Sequence, residues 1–175
     1  FNMLGPLSNP AMVDKLMVGV FAPEWVEPVA QVLHELGAQR AWVVHGEGGL
    51  DELATNGSAK VASLEDGTVT TFEVTPEDAG LPRCDLDDLK GGDAEFNAAA
   101  LNALLDSKPS AYRDTVLFTS AAALIVAGKA TDLKDGVSIA ASSIDDGKAR
   151  AALNRMIEIS HEVIEDDDED EAAND

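Results

Sequence analysis

Lys15-Leu16-Met17-Val18-Gly19-Val20-Phe21 and Arg40-Ala41-Trp42-Val43-Val44-His45 bracket the stretch that decides the fold. Both are short apolar runs, and each reads as a buried strand. Between them, Pro23 suits the first turn of a helix. Trp25, Val26, Val29, Val32, Leu33 and Leu36 follow at helical spacing, and Gly37 stands where a C-cap belongs. Strand, helix and strand with short connections make a βαβ unit and a parallel sheet. Ligands of such sheets gather at the carboxyl ends of the strands. There the second run leads into Gly46-Glu47-Gly48-Gly49-Leu50-Asp51-Glu52, a glycine-rich turn that presents two adjacent carboxylates. Magnesium prefers one or two carboxylates plus substrate phosphate oxygens and waters. Asp51 and Glu52 are therefore candidate metal ligands, although an acidic pair in a loop is more often solvated surface.

Beyond this unit, Ala59 to Leu64 and Val69 to Val74 flank Glu65-Asp66-Gly67, a strong hairpin turn signal. Pro76-Glu77-Asp78-Ala79-Gly80 reads as one helical turn ended by glycine, and a further short turn is expected near Leu86 to Leu89. From Asp93 the chain becomes alanine-rich helix, with Asp93 as N-cap and Phe96, Ala100, Leu101, Leu104 and Leu105 on one face. Further helices are predicted from Ala111 to Ala127, Leu133 to Asp146, and Lys148 to about Glu165. There is no internal repeat. Residues 1–92 supply sheet and loops, and 93–164 supply the helices that cover them. The expected organisation is one α/β domain over 1–164 and an acidic, disordered tail over 165–175.

Composition narrows the function classes. At 175 residues and 45% hydrophobic content, the chain is long enough for one globular domain with a sizeable core. No apolar run approaches the roughly 20 residues that span a bilayer, and no signal-peptide pattern is visible. No membrane association is expected. Cys84 is the lone cysteine, which excludes an internal disulfide framework and fits a reducing cytoplasm. Its polar surroundings suggest no nucleophile. The net charge is −21, of which the tail from Glu165 to Asp175 carries −8. Such acidity repels phosphate backbones, so nucleic-acid binding is not expected. A phosphorylated small substrate remains compatible, because a bound metal reverses the local potential. The chain opens on Phe1-Asn2 without an initiator Met, which reads as part of a longer protein.

Other candidates are weaker. His45 sits at a strand end beside the glycine turn, where a hydrogen-bonded structural role is commoner than catalysis. His34 and His161 read as surface. No spacing supports a zinc site, and no Gly-x-Ser-x-Gly elbow is present. Gly46 to Gly49 lacks the Walker lysine and the Gly-x-Gly-x-x-Gly spacing. Gly91-Gly92-Asp93 is either an anion-binding nest or a loop with an aspartate cap. In the opening segment, Gly5 before Pro6 permits an unusual turn, while Asn2 and Asn9 offer amide hydrogen bonds; a structural loop is the simpler reading.

Phe1-Asn2-Met3-Leu4-Gly5-Pro6-Leu7-Ser8-Asn9-Pro10 resembles the Phe-Asn-x-Leu-Gly-Pro-Leu-Thr-Asn-Pro signature of anthranilate phosphoribosyltransferases. The likeness continues through His45-Gly46, Gly49-Leu50-Asp51-Glu52, Pro76 to Leu81, Gly91-Gly92-Asp93, Asn97-Ala98 and Ile144 to Ala149. It covers essentially residues 1–160. The resemblance implies the α/β domain of the nucleoside phosphorylase and phosphoribosyltransferase fold, a parallel-type sheet flanked by helices, with the N-terminal helical domain missing. It implies transfer of a phosphoribosyl group from phosphoribosyl pyrophosphate to anthranilate, in tryptophan biosynthesis and in the cytoplasm. It also implies Mg²⁺ held by Asp51 and Glu52, and a wall of the anthranilate channel shaped by Asn2, Gly5, Pro6 and Asn9. No residue is assigned a catalytic role. The parent is expected to dimerise through the missing helical domain. This chain departs from the pattern in lacking the Gly-Thr-Gly-Gly-Asp phosphate cradle and the arginine that meets anthranilate. Ser8 replaces threonine, Thr119-Ser120 replaces Asn-Ala, and the acidic tail is foreign. The chain is therefore expected to be inactive alone. Alternatives are a sibling phosphoribosyl or nucleoside enzyme with another acceptor, and a non-catalytic binding paralogue.

Overall fold

The structure is a computed structural model that describes residues 4–162. The expectations for Asn2 and for the acidic tail lie outside the described residues. The βαβ unit forms, with a first strand shorter than the Lys15–Phe21 run and buried only at Val18: β1 (Lys15–Gly19), a 3₁₀ turn at Pro23–Trp25, α2 (Val26–Glu35) and β2 (Arg40–Gly46). β1 and β2 pair in parallel from Lys15 opposite Arg40 to Gly19 opposite Val44. Helix α2 buries Val26, Val29, Ala30 and Leu33, the i, i+3, i+4, i+7 positions that face a sheet. Its end is a Schellman motif: Gly37, at φ +92°, donates to the His34 carbonyl and Ala38 donates to Leu33.

The chain then reverses direction. β3 (Ala59–Glu65) runs antiparallel to β2, and β4 (Thr68–Val74) runs antiparallel to β3. Asp66 and Gly67 both have positive φ, +50° and +73°, as a two-residue type I′ hairpin requires. The sheet order is β1-β2-β3-β4, so the parallel pairing is confined to β1 and β2 and the sheet is mixed. Both faces of β2 are covered. Ala41 and Val43 pack with Val18, Val26, Val29 and Leu64 beneath α2. Trp42 and Val44 pack with Val61, Phe118, Ala121 and Ala122 on the other face. That double burial is why Ala41 to Val44 is continuously apolar instead of alternating.

The second face is covered mainly by α4 (Ala111–Val126) and α5 (Leu133–Asp145). These two helices touch closely at Gly136, where a Cβ would lie 2.7 Å from the Ala121 Cα. The other helices are α1 (Leu4–Leu7), α3 (Ala94–Leu105) and α6 (Lys148–Ser160). Asp93, Ser110 and Asp132 cap α3, α4 and α5 by accepting the backbone N–H three residues on.

Three local expectations need correction. Gly5 and Pro6 lie in the single helical turn α1, not in an unusual turn. Phe96 is 57% exposed, its ring against the Gly92 backbone, and α3 buries only Leu104. Helix α6 ends at Ser160, short of Glu165, with His161 as its C-cap.

Candidate functional site

The glycine-rich turn begins where β2 ends. Gly46 N–H donates to the Leu50 carbonyl at 2.7 Å, and Glu47 N–H donates to Ser58 at 3.0 Å. Gly48 and Gly49 turn the chain at φ +83° and +85°, conformations that favour glycine. The peptide then folds back over the strand ends, leaving Asp51 and Glu52 exposed. The next three residues plunge inward: Leu53, Ala54 and Thr55 are at most 2% exposed.

This buried root is tied to α4 and to the loop after Leu81. Thr119 donates its hydroxyl to the Leu53 carbonyl at 2.8 Å. Thr115 Oγ1 accepts from the Thr55 N–H at 3.3 Å and pairs with the Thr55 hydroxyl at 3.0 Å. Cys84 Sγ lies 3.3 Å from that hydroxyl, and its N–H donates to the Thr55 carbonyl. Cys84 is thus a half-buried packing residue, in line with the structural reading. A turn with exposed carboxylates stands on a base of satisfied buried hydrogen bonds, which favours a fixed position.

Glycines make the fold-back possible. A Cβ on Gly19, at the end of β1, would overlap the Asp51 carbonyl oxygen and lie 2.6 Å from its carbonyl carbon. A Cβ on Gly46 would overlap the Glu52 carbonyl oxygen. In the sequence, Gly19 reads as one residue of the first strand. An isolated glycine inside a strand pattern is the available signal, because it marks close backbone approach.

The two acidic residues line different hollows. Asp51 lines a small one of about 80 Å³ with Pro6, Gly19, Val20, Phe21 and Val29. Glu52 lines a larger cavity of about 460 Å³, with Lys90, Tyr112, Thr119 and Ser120 among its walls. Pro6 is therefore brought to Asp51. Asn9 lies in a separate groove with Leu33 and Leu36, and its side-chain oxygen accepts the Ala11 N–H at 2.9 Å. Gly5 is exposed, with nothing within 4 Å of a Cβ built on it.

His45 Nδ1 lies 2.8 Å from the Val20 carbonyl, which can only accept, so this nitrogen carries the proton. It links the ends of β1 and β2, the structural role expected. His34 and His161 are exposed. Gly92 N–H and C=O are both bonded by the Asn97 amide, at 2.9 and 3.0 Å, while Asp93 Oδ1 caps Phe96. The loop is a clamped cap, and its Gly92 amide is engaged by Asn97.

Among the described residues, no group of three or more His, Cys, Asp or Glu side chains could hold a metal ion. That donor set does not suit zinc. Two adjacent exposed carboxylates suit a hydrated hard cation that completes its shell with waters and phosphate oxygens. Magnesium fits the residues present.

Residues 1–150 match a glycosyl transferase family, over what is described as its a/b domain. The chain belongs to this family. It is 60% identical over 161 residues to an anthranilate phosphoribosyltransferase of Rhodopseudomonas palustris, covering 92% of this chain and 48% of that protein. A Bradyrhizobium diazoefficiens protein of the same name is 58% identical over 161 residues, with the same two coverages, 92% and 48%. The chain spans about half the length of the curated relatives it matches. Among solved structures, the anthranilate phosphoribosyltransferase of Thermus thermophilus superimposes with a TM-score of 0.81 at 41% identity, over 89% of this chain and 46% of that one. The Saccharomyces cerevisiae enzyme in complex with PRPP and Mg gives 0.80 at 25% identity, over 89% and 45%. The α/β fold of these transferases is therefore the fold of this chain. Among the described residues, no helix is long and apolar enough to cross a membrane.

Proposed function

We propose that this chain is the C-terminal α/β portion of an Mg²⁺-dependent anthranilate phosphoribosyltransferase, and that it does not act alone. The observation that carries the reading is the Leu50–Thr55 turn. Two exposed carboxylates stand at the carboxyl ends of parallel strands on a buried, hydrogen-bonded root, in a chain 60% identical to an enzyme of that name.

In this reaction, the anthranilate amine bonds to ribose C1 of phosphoribosyl pyrophosphate. The C1–O bond breaks, pyrophosphate leaves with the bonding pair, and the amine loses one proton. Bound Mg²⁺ would neutralise the charge that builds on the departing pyrophosphate. Asp51 and Glu52 would hold the ion by their carboxylate oxygens. Their buried root would keep those oxygens in place, so that little reorganisation is left for the reacting complex. Pro6, beside Asp51, would form part of the wall against which the acceptor lies, with Asn2, Gly5 and Asn9 in the same opening segment. The rest of the parent would supply the phosphate cradle, dimerise and work in the cytoplasm.

The test is phosphoribosyl transfer by the full-length parent with Mg²⁺, beside the 175-residue chain. The parent is expected to consume anthranilate and phosphoribosyl pyrophosphate together, and the chain alone neither. A parent that transfers to a different acceptor would establish a sibling activity instead. A parent that binds no phosphoribosyl pyrophosphate would establish a binding paralogue.

A further inference from the structure

We propose that Gly19 and Gly46 are positioning residues, each seating one backbone carbonyl of the acidic pair, Asp51 on β1 and Glu52 on β2. The proposal rests on the reading of Asp51 and Glu52 as the Mg²⁺ ligands. Gly19 and Gly46 are the last residues of the two strands that pair in parallel. The Asp51 carbonyl occupies the place of a Gly19 Cβ, and the Asp51 Cβ itself would lie 3.1 Å from it. The Glu52 carbonyl occupies the place of a Gly46 Cβ, with Leu50 Cβ 3.4 Å away.

These contacts are with backbone, which cannot swing aside as a side chain can. The neighbouring restraints close off other ways to yield. Upstream, Gly46 and Leu50 are bridged by a hydrogen bond of 2.7 Å. Downstream, the Leu53 carbonyl is held by Thr119 and Thr55 by Thr115. A methyl group on either glycine must therefore lift the peptide between those anchors, which is the peptide that bears the carboxylates. Neither glycine is needed for a positive φ, so the requirement is for space alone. Val20 N–H still pairs with the Val44 carbonyl at 2.9 Å, so the strands hold their pairing past Gly19. The seat is a property of the strand ends, and it assigns each carboxylate to a different strand.

The experiment is Mn²⁺ titration of the full-length parent in the presence of pyrophosphate, followed by electron paramagnetic resonance, with Mg²⁺ half-saturation of turnover read in parallel. Gly19→Ala is expected to weaken Mn²⁺ binding about 10- to 100-fold, the range seen when the support of a metal ligand is removed. On an Asp51→Ala background, Gly19→Ala should add a smaller loss than on the parent, because only Glu52 is then left for the lifted peptide to displace. A second variant adds no bulk: one glycine inserted between Glu52 and Leu53, inside the two anchors, slackens the peptide that bears the carboxylates. It should still weaken Mn²⁺ binding while the protein stays folded by circular dichroism, which keeps the test open should Gly19→Ala fail to fold. Unchanged Mn²⁺ binding in the insertion variant, or in a folded Gly19→Ala protein, overturns the seat. Unchanged binding in both Asp51→Ala and Glu52→Ala overturns the metal reading as well, and so separates the two failures.

Discussion

Two glycine-rich segments of this chain each lead into a carboxylate, and they end in opposite states. In Gly46–Glu52, the carbonyls of Asp51 and Glu52 press onto glycines while both side chains are exposed. In Gly91–Asp93, the Asn97 amide clamps Gly92 from both sides, and the Asp93 carboxylate is spent on the Phe96 N–H at 2.9 Å. The lesson is that a carboxylate behind glycines is free for chemistry only where the backbone is satisfied without it. At the first segment the strand ends and the Thr55–Thr115 pair do that work. At the second, the side chains of the loop do it themselves.

The largest expected effect breaks the first segment alone. Asp51→Ala or Glu52→Ala in the full-length parent should lower kcat/KM about a hundredfold or more, as loss of several kcal/mol of charge stabilisation implies. Both positions are exposed, so their thermal midpoints should stay near that of the parent in scanning calorimetry. Next comes the root. Thr115→Val strips the Thr55 N–H and hydroxyl of their buried partner and should cost about 1–3 kcal/mol in urea unfolding. Mg²⁺ half-saturation should rise with it, since the root places the carboxylates.

The second segment should show the converse. Asp93→Ala removes an N-cap and should cost about 1 kcal/mol of stability, with Mg²⁺ half-saturation unmoved. A Mg²⁺ effect there as large as that of Asp51→Ala would erase the distinction between the two segments.

The smallest effect concerns pH and lies away from both. Asp145 is held below the ordinary carboxylate value by the Ser107 hydroxyl and by Arg113, whose guanidinium pairs with it at 2.9 Å. Its stabilising contribution is therefore fully present above the unfolded-state pKa, about 3.9. It is lost as the pH falls below that value through the lower folded-state pKa. Asp145→Asn should flatten the decline of the thermal midpoint in that acid window and leave the slope at neutral pH unaltered.

Much of this fold was legible because its signals are local. The α2 periodicity, the Gly37 stop, the Glu65-Asp66-Gly67 hairpin and the Asp93 cap each need fewer than about twenty residues to be read. The Asp51-Glu52 pair is a candidate for the same reason, since it and its glycine turn stand within Gly46 to Glu52. What escaped depends on distance along the chain. Gly19 meets Asp51, and Thr55 meets Thr115 across sixty residues, only once the sheet and α4 are in place. The division of the pair between a hollow beside Pro6 and a cavity beside Tyr112 has no sequence signature either. Phe96 misled because alanine-rich periodicity marks a face without saying what covers it. Gly5-Pro6 misled because a pair that usually signals a turn here sits inside one turn of helix.

The contrast between the two segments turns on the proposal that Asp51 and Glu52, and not Asp93, hold Mg²⁺. Mn²⁺ titration of the full-length parent, its Asp51→Ala/Glu52→Ala variant and its Asp93→Ala variant, with pyrophosphate present, measures this directly. Binding should vanish in the double variant and match the parent in Asp93→Ala. Binding that survives loss of both Asp51 and Glu52 would contradict the assignment of the metal to this turn.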